Sequence, residues 1–501
     1  MYNNCDLEWG DPAGTTADTD EKDTMSLDSE LTGCLRLSKE QTIALDIFKK
    51  GSNLFLTGPG GSGKTELIKR MVLIAQLRKK SVQVCALTGC AAILLKTNGG
   101  IGAKTIHSWA GVGLCKDTVY NVVDRVAKNK YKSAAWKKTD ILIVDEVSMM
   151  SKKLFTILDK IGRACRKRDD LPFGGIQVVF SGDFYQLPPV GDSDDESTSA
   201  FCFESETWKD TFGSSDSIVQ LKTIFRQTDK EYSDILDQIR VGRLKKSSYD
   251  KLMTRVVSSA SLRQDCGIKP TVMLPKRKDV DLINSTEMSK LDGKGNKKME
   301  FEMSVVEDYS SSAYMSKFKK RGSWSSEDKK DQSAMQITEQ MKEMEIKFLK
   351  ENVMVTPKIT LTIGTQVMCV ANIDMDSSSP IVNGSQGVVV QFSKDGLPII
   401  RFSNAKERLI GYHVWNSENI KWLGVRQLPL IYSWAITIHK SQGVSLDFAE
   451  IDAGSNIFEC GQTYVALSRV KTLEGLFLTS FNPQKIMVDK KVKLFYDSIS
   501  N

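Results

Sequence analysis

Short apolar runs along the chain end repeatedly on loops rich in glycine or charge, and this pattern predicts parallel strands that deliver functional loops. LFLT (54–57) runs straight into GPGGSGKT (58–65), and an amphipathic helix begins at Glu66. ILIV (141–144) stops at Asp145 and Glu146, and IQVVF (176–180) leads into SGDFYQLPPV. Unbroken apolar runs of this length fit strands buried on both faces, as in a parallel sheet. WAITI (434–438) stops at His439, Lys440, Ser441, Gln442 and Gly443. Two later stretches, LTIGTQVMCVANID (361–374) and IVNGSQGVVVQF (381–392), alternate instead and predict short strands around the hairpin dipeptide Asn383-Gly384. DTVYNVVDRVAKNKYKSAAWKKTD (117–140) reads as helical and lysine-rich, and Ile337, Met341, Met344 and Phe348 follow helical spacing. No apolar run approaches the roughly 18 residues that span a bilayer, so no transmembrane helix is expected.

Composition narrows the class. The 501 residues, 41% hydrophobic and 26% charged, suit a soluble protein of several domains. The net charge of +7 is uneven. Residues 1–31 hold nine acids against Lys22 alone, a charge of −8, which leaves about +15 on the rest. A basic body suits an anionic partner such as nucleic acid, and solvated lysine faces are the plain alternative. None of the ten cysteines has C-x2-C spacing, which favours reduced intracellular thiols over zinc or disulfides. The N-terminus lacks a signal core and the look of a transit peptide. An intracellular location is expected, nuclear, or cytoplasmic for a viral or bacterial protein.

The loops carry recognisable chemistry. In Gly58-Pro59-Gly60-Gly61-Ser62-Gly63-Lys64-Thr65, backbone amides can turn inward around phosphates at a helix N-terminus. Lys64 reaches the β- and γ-phosphates in such a loop, and Thr65 ligates Mg²⁺. Asp145 would hold Mg²⁺, and Glu146 would act as general base toward the attacking water. Gln186, stiffened by Pro188 and Pro189, is placed either to sense the γ-phosphate or to cap a turn. His439 has three readings from its own ten residues: metal ligand, catalytic base or polyanion contact.

LSKEQ (37–41), GPGGSGKT, TIHSWAG (105–111), VDEVSMM, GDFYQLPPV, IFRQ (224–227), AITIHKSQG and YVALSRV (464–470) occur in the order found in superfamily 1B DNA helicases. The chain most resembles their petite-integration-frequency (PIF-type) branch, with RecD-like helicases as nearest relatives, from about Leu37 to Tyr496. The resemblance implies an α/β fold: two tandem RecA-like P-loop domains with parallel sheets, a small helical insertion and an SH3-like β insertion. The implied layout is an acidic disordered tail (1–35), a first RecA-like domain (36–220) with a wedge insertion near 113–140, and a second RecA-like domain (221–297 and 425–501). The β insertion spans 298–424, with a loop-like segment at 305–335, and GDSDDESTS (191–199) is expected as an exposed acidic loop.

By position, the resemblance makes Gln41 the adenine-reading residue and Arg226 and Arg469 the arginines that reach the γ-phosphate across the interdomain cleft. It places Gly443 near nucleotide or DNA. It puts Thr88, His107, Ser108, Trp109, His439, Lys440 and Ser441 on the DNA, with Trp109 either stacking on a base or belonging to the core. Lys128, Lys130, Lys132, Lys137 and Lys138 would face phosphates from the wedge insertion, unless they line a solvated helix. The expected activity is an ATP- and Mg²⁺-dependent helicase moving 5′ to 3′ on single-stranded DNA and unwinding tailed duplex. It would act as a monomer in replication, repair, recombination or telomere maintenance. The rival readings are a RecD-like subunit of a recombination complex and a nucleic-acid-binding scaffold whose ATPase has decayed.

Overall fold

The computed structural model describes residues 37–500 apart from 114, 116, 193, 214–216, 228, 258–267, 293–296, 309–337, 374–380 and 421. The acidic tail and most of the 305–335 segment therefore lie outside the described residues. The apolar runs form the first sheet from β1 (Leu54–Thr57), β2 (Val82–Ala86), β3 (Ala103–Thr105), β4 (Ile141–Asp145), β5 (Gln177–Gly182) and β6 (Ile218–Gln220), in the spatial order β3-β2-β4-β5-β1-β6. All pairs are parallel. Strand alternation sends Phe55, Cys85, Leu142, Val144, Val178 and Phe180 into one hydrophobic core, and Leu54, Leu56, Val84, Ala86, Ile141, Ile143 and Val179 into the other. Both faces are covered by helices, which is why the strands read as continuous apolar runs.

Parallel strands aim all their C-terminal ends the same way. Thr57 lies opposite Gly182 and Ala86 opposite Asp145, so the loops after β1, β2, β4 and β5 open on one edge. Ligands of open α/β sheets bind at that edge.

The second parallel sheet has the order Ala435–Thr437, Thr271–Leu274, Ala449–Ala453, Leu476–Phe481. Between its first two strands in sequence lies an antiparallel β insertion. Its five-stranded sheet runs Glu407–Leu409, Pro398–Phe402, Gln386–Phe392, Gln366–Cys369, Leu430–Tyr432, around a separate core that includes Leu361, Val367, Val389 and Ile400. Because Leu430–Tyr432 pairs with Gln366–Cys369, the insertion continues past the expected boundary at 424. The four described residues at the start of the loop-like segment are also structured in part, since Ser304–Glu307 pairs with Leu423–Gln427.

Two further features differ from expectation. The expected helical insertion forms as the helices Val119–Lys128 and Lys130–Lys138, yet its lysines do not all face outward. The two helices bury Val122, Val126 and Trp136 in the first domain's core. The final helix, Lys490–Ser500, follows the second sheet in sequence, yet Val492 and Tyr496 are buried in the first domain's core, with Phe495 packed against it. The chain thus returns to the first domain at its end.

Candidate nucleotide cleft and DNA-facing rim

The loop after β1 places Lys64 at the first turn of helix Lys64–Leu77, behind Gly63 in a left-handed conformation (φ 83°). Lys64 Nζ donates to the carbonyls of Gly58 (2.7 Å) and Pro59 (3.0 Å). Gly61 (φ +85°) must be glycine: a Cβ there would lie 2.5 Å from Arg226 Cβ. Gln41 belongs to a capping box with Ser38, and its Nε2 points at the Ser62 carbonyl (3.5 Å). That brings the first helix, Lys39–Lys49, against the phosphate loop.

The second domain supplies the opposite wall. A Cβ on Gly60 would sit 3.2 Å from Arg469 Nη2 and 3.7 Å from Arg226 Nη1, so both guanidiniums reach the loop. Arg469 donates from Nε to the Val465 carbonyl (2.9 Å) and from Nη2 to Ser468 Oγ (2.9 Å). Arg226 Nη1 donates to the Ser468 carbonyl (3.4 Å). Sequence reasoning did not single out Tyr464, whose hydroxyl accepts a bond from the Gly60 amide (2.9 Å).

The electrostatics of the cleft are unbalanced. Burial lowers the pKa of Lys64, opposed by Asp183, Glu146 and Asp145. Burial also brings Arg226 down to about 9, helped by Arg469, and lowers Arg469 itself. Among the described residues, none of these three cations forms a salt bridge. Across from them, burial raises Asp145, and burial plus the Asp145 charge pushes Glu146 up to about 6. Glu146 also adopts a left-handed backbone (φ 57°, ψ 40°), a conformation that costs a non-glycine residue on the order of 1–3 kcal/mol. Ser62 Oγ is buried without a hydrogen-bond partner. Three desolvated cations, an unpartnered hydroxyl and a ring of loop amides fit a polyphosphate. Thr65 and Asp145 supply oxygen donors of the kind Mg²⁺ prefers.

The expected DNA residues divide. Thr88 caps helix Gly89–Gly99, its Oγ1 accepting from the Ala91 amide (3.1 Å). The loop after strand Ala435–Thr437 abuts this helix from the other domain. A Cβ on Gly443 would lie 3.3 Å from Leu94 Cδ1, so Gly443 stands against that helix of the first domain. His439 and Lys440 are exposed on the same rim, and Lys440 is close enough to hold down the thiol pKa of Cys90, which burial raises. Ser108 is exposed, and His107 is half-buried, with its pKa lowered by burial.

Two expected contacts are withdrawn into the fold. Ser441 is fully buried and donates its hydroxyl to the Ile438 carbonyl (2.7 Å), because the chain tightens into a 3-10 turn at His439–Ser441. The indole of Trp109 is buried with its ring centroid 4.5 Å from that of Trp136, so it is core and not a stacking platform. Among the insertion lysines, Lys132 Nζ donates to the Gly111 carbonyl (3.0 Å) and Lys128 pairs with Asp124 (2.9 Å). Lys130, Lys137 and Lys138 remain exposed. Most described residues of the acidic 191–199 loop are exposed, as expected, and Asp195 accepts from Lys153 (2.9 Å).

Comparison with known proteins agrees with this geometry. The family model for "PIF1-like helicase" matches residues 36–250, and that for "DNA helicase Pif1, 2B domain" matches 347–392. The ATP-dependent DNA helicase PIF1 of Xenopus laevis is 33% identical over 480 residues, 95% of this chain. The yeast ATP-dependent DNA helicase RRM3 (Saccharomyces cerevisiae) is 31% identical, with 92% of this chain and 67% of the relative covered. This chain belongs to the PIF1-like helicase family. It spans 66% of the Xenopus relative's length, just under two thirds. Among solved structures, the Pif1 helicase of Candida albicans superposes with a TM-score of 0.65 at 29% identity, covering 93% of this chain and all of that one. Its two parallel sheets are therefore the two RecA-like domains of that family. Among the described residues, no helix is long and apolar enough to cross a membrane.

Proposed function

We propose that the chain is an ATP- and Mg²⁺-dependent DNA helicase that translocates 5′ to 3′ on single-stranded DNA and unwinds tailed duplex. The observation that carries this is that Arg226 and Arg469 of the second domain reach Gly60 of the phosphate loop that Lys64 anchors, with none of the three cations in a salt bridge among the described residues. Bound ATP·Mg²⁺ supplies the transferable phosphoryl group. Lys64 and the loop amides of 60–65 hold and orient its phosphates, and Thr65 and Asp145 hold the cation. Glu146 takes the proton of the attacking water, while Arg226 and Arg469 neutralise charge developing on the phosphoryl oxygens. Arginines in this role are worth roughly 10³ to 10⁵ in rate.

Closure of the cleft brings the arginines home and moves the rim of Thr88, His439 and Lys440 with it, so grip on the DNA backbone alternates with the nucleotide state. The direction of movement and a role in genome maintenance rest on membership of the family. Duplexes with a 5′ or a 3′ tail test the direction, and unwinding of the 3′-tailed substrate alone would overturn it. A DNA-stimulated ATPase assay separates this reading from a scaffold with a decayed ATPase. No described feature favours a RecD-like subunit.

A further inference from the structure

Behind the phosphate loop lies a buried polar network that the proposed chemistry does not use. Asp183, just after β5, accepts two bonds from Arg240, from Nε to Oδ2 and from Nη2 to Oδ1, each 2.8 Å. Both side chains are almost wholly buried. Tyr496 of the final helix donates its hydroxyl to Asp183 Oδ1 (3.3 Å) and accepts from the Phe184 amide (3.2 Å). Its third contact, 2.6 Å to Thr57 Oγ1, must then be donated by Thr57, since a phenol has one proton. The Arg240 guanidinium lies over the rings of Tyr185 (4.6 Å) and Tyr496 (5.4 Å), which stack on each other at 4.6 Å.

The members come from opposite sides of the cleft. Thr57 is the last residue before the phosphate loop, and Asp183 begins the turn that carries Gln186. Arg240 ends helix Lys230–Arg240, whose Tyr232, Ile235, Leu236 and Ile239 are buried in the second domain's core. That helix is bound in turn to the segment carrying Arg469: Tyr232 donates to the Leu467 carbonyl (2.7 Å), and Gln227, just upstream, donates to the Ser468 carbonyl (3.1 Å). An unbroken chain of contacts therefore runs from Thr57 through Tyr496, Asp183 and Arg240 to the residues that hold Arg469.

We propose that Arg240 and Tyr496 are positioning residues for hydrolysis: with Asp183 they form the pivot between the domains and set where Arg226 and Arg469 stand relative to the phosphate loop. The inference rests on the ATPase reading above. The carboxylate suits a pivot because a bidentate guanidinium fixes orientation as well as distance. The aromatic pair encloses the fork, so pulling it apart would expose a buried charge, and the anchored point stays fixed while the domains move about it.

Tyr496→Phe keeps the ring stack and deletes the hydroxyl with its bonds to Asp183, Phe184 and Thr57. It should lower kcat of DNA-stimulated ATP hydrolysis about tenfold, the equivalent of about 1.4 kcal/mol, with KM for ATP and the melting temperature little changed. Thr57→Val should do the same, and the double variant should lose no more than either alone. Arg240→Lys, which keeps the charge but not the fork, should recover only part of the loss caused by Arg240→Met. An unchanged kcat in Tyr496→Phe overturns the proposal. So does a fall in kcat matched by a rise in KM and a lower melting temperature, which marks a purely structural role. Amide hydrogen exchange without nucleotide decides independently of turnover: Tyr496→Phe should speed exchange in 57–63 and 182–187 together, leaving 435–437 protected. Unchanged exchange there sinks the pivot even if hydrolysis is absent, whereas an inactive wild type with altered exchange sinks only the ATPase reading.

Discussion

Glu146 offers the sharpest test of the hydrolytic site, because its position has opposite consequences for stability and for rate. Burial, reinforced by the Asp145 charge, lifts its carboxyl from the ordinary 4.5 to about 6, against the pull of Lys64, Arg469 and Arg226. At 1.36 kcal/mol per pH unit, that corresponds to about 2 kcal/mol. The folded pKa is raised, so the folded state binds the extra proton between 4.5 and 6. The penalty for burying the charge is absent below 4.5, where both states are protonated, and is fully present above 6. Glu146→Gln should therefore stabilise the protein by up to about 2 kcal/mol at pH 7, read as a shift in denaturant midpoint, and by little at pH 4.5. The rate runs the other way. Below pH 6 the protonated carboxyl cannot accept a proton from water, so kcat/KM for ATP, which reports the free enzyme, should fall about tenfold per pH unit. Arg469→Ala, which removes a cation that holds the carboxyl down, should move the remaining acid limb upward. Glu146→Gln should cost roughly 10² to 10⁴ in rate and abolish that limb. A wild-type limb near pH 4.5, or a limb that survives in Glu146→Gln, would refute the assignment of Glu146 as the base.

Lys64→Ala should abolish hydrolysis while DNA affinity, measured by fluorescence anisotropy without nucleotide, stays nearly constant; retained ATPase activity removes the phosphate-loop assignment. Lys440→Ala should weaken single-strand binding and reduce the salt slope by about 0.7, whereas Ser441→Ala, its hydroxyl turned inward to Ile438, should leave both unchanged. His439→Ala should impair unwinding more than basal hydrolysis, and an equal loss of both counts against a role in coupling. Trp136→Ala should destabilise the first domain by about 3–5 kcal/mol in denaturant titration, since Trp136 is fully buried against Trp109. Wild-type stability in that variant would mean the helical insertion is not part of the core.

The outcome at individual residues separates what local sequence can carry from what it cannot. The positions of the phosphate loop and Asp145 were legible because each ends an apolar run, and parallel strands carry such ends to one edge whatever the rest of the chain does. Arg226 and Arg469 have no comparable local mark, and only ordered motifs shared with a family pointed to them. Ser441 was misread for a local reason: the strand stops at Thr437, and the 3-10 turn that follows folds the hydroxyl back onto its own backbone. Trp109 was left open between stacking and core for a distant reason, since its ring is covered by Trp136 from a segment whose lysines advertised a surface. The spacing of Val492, Phe495 and Tyr496 announces one apolar helix face, but which domain that face covers depends on a contact spanning almost the whole chain, from Thr57 to Tyr496. Asp183 shows the same limit from the polar side. Its carboxylate reads as another strand-end acid beside Asp145 and Glu146, yet Arg240 arrives from the second domain and neutralises it. The two acids with no such partner keep raised pKa values and face the buried cations of the cleft. The proposed division, Glu146 as base and Asp183 as a structural anchor, thus turns on where one distant arginine ends.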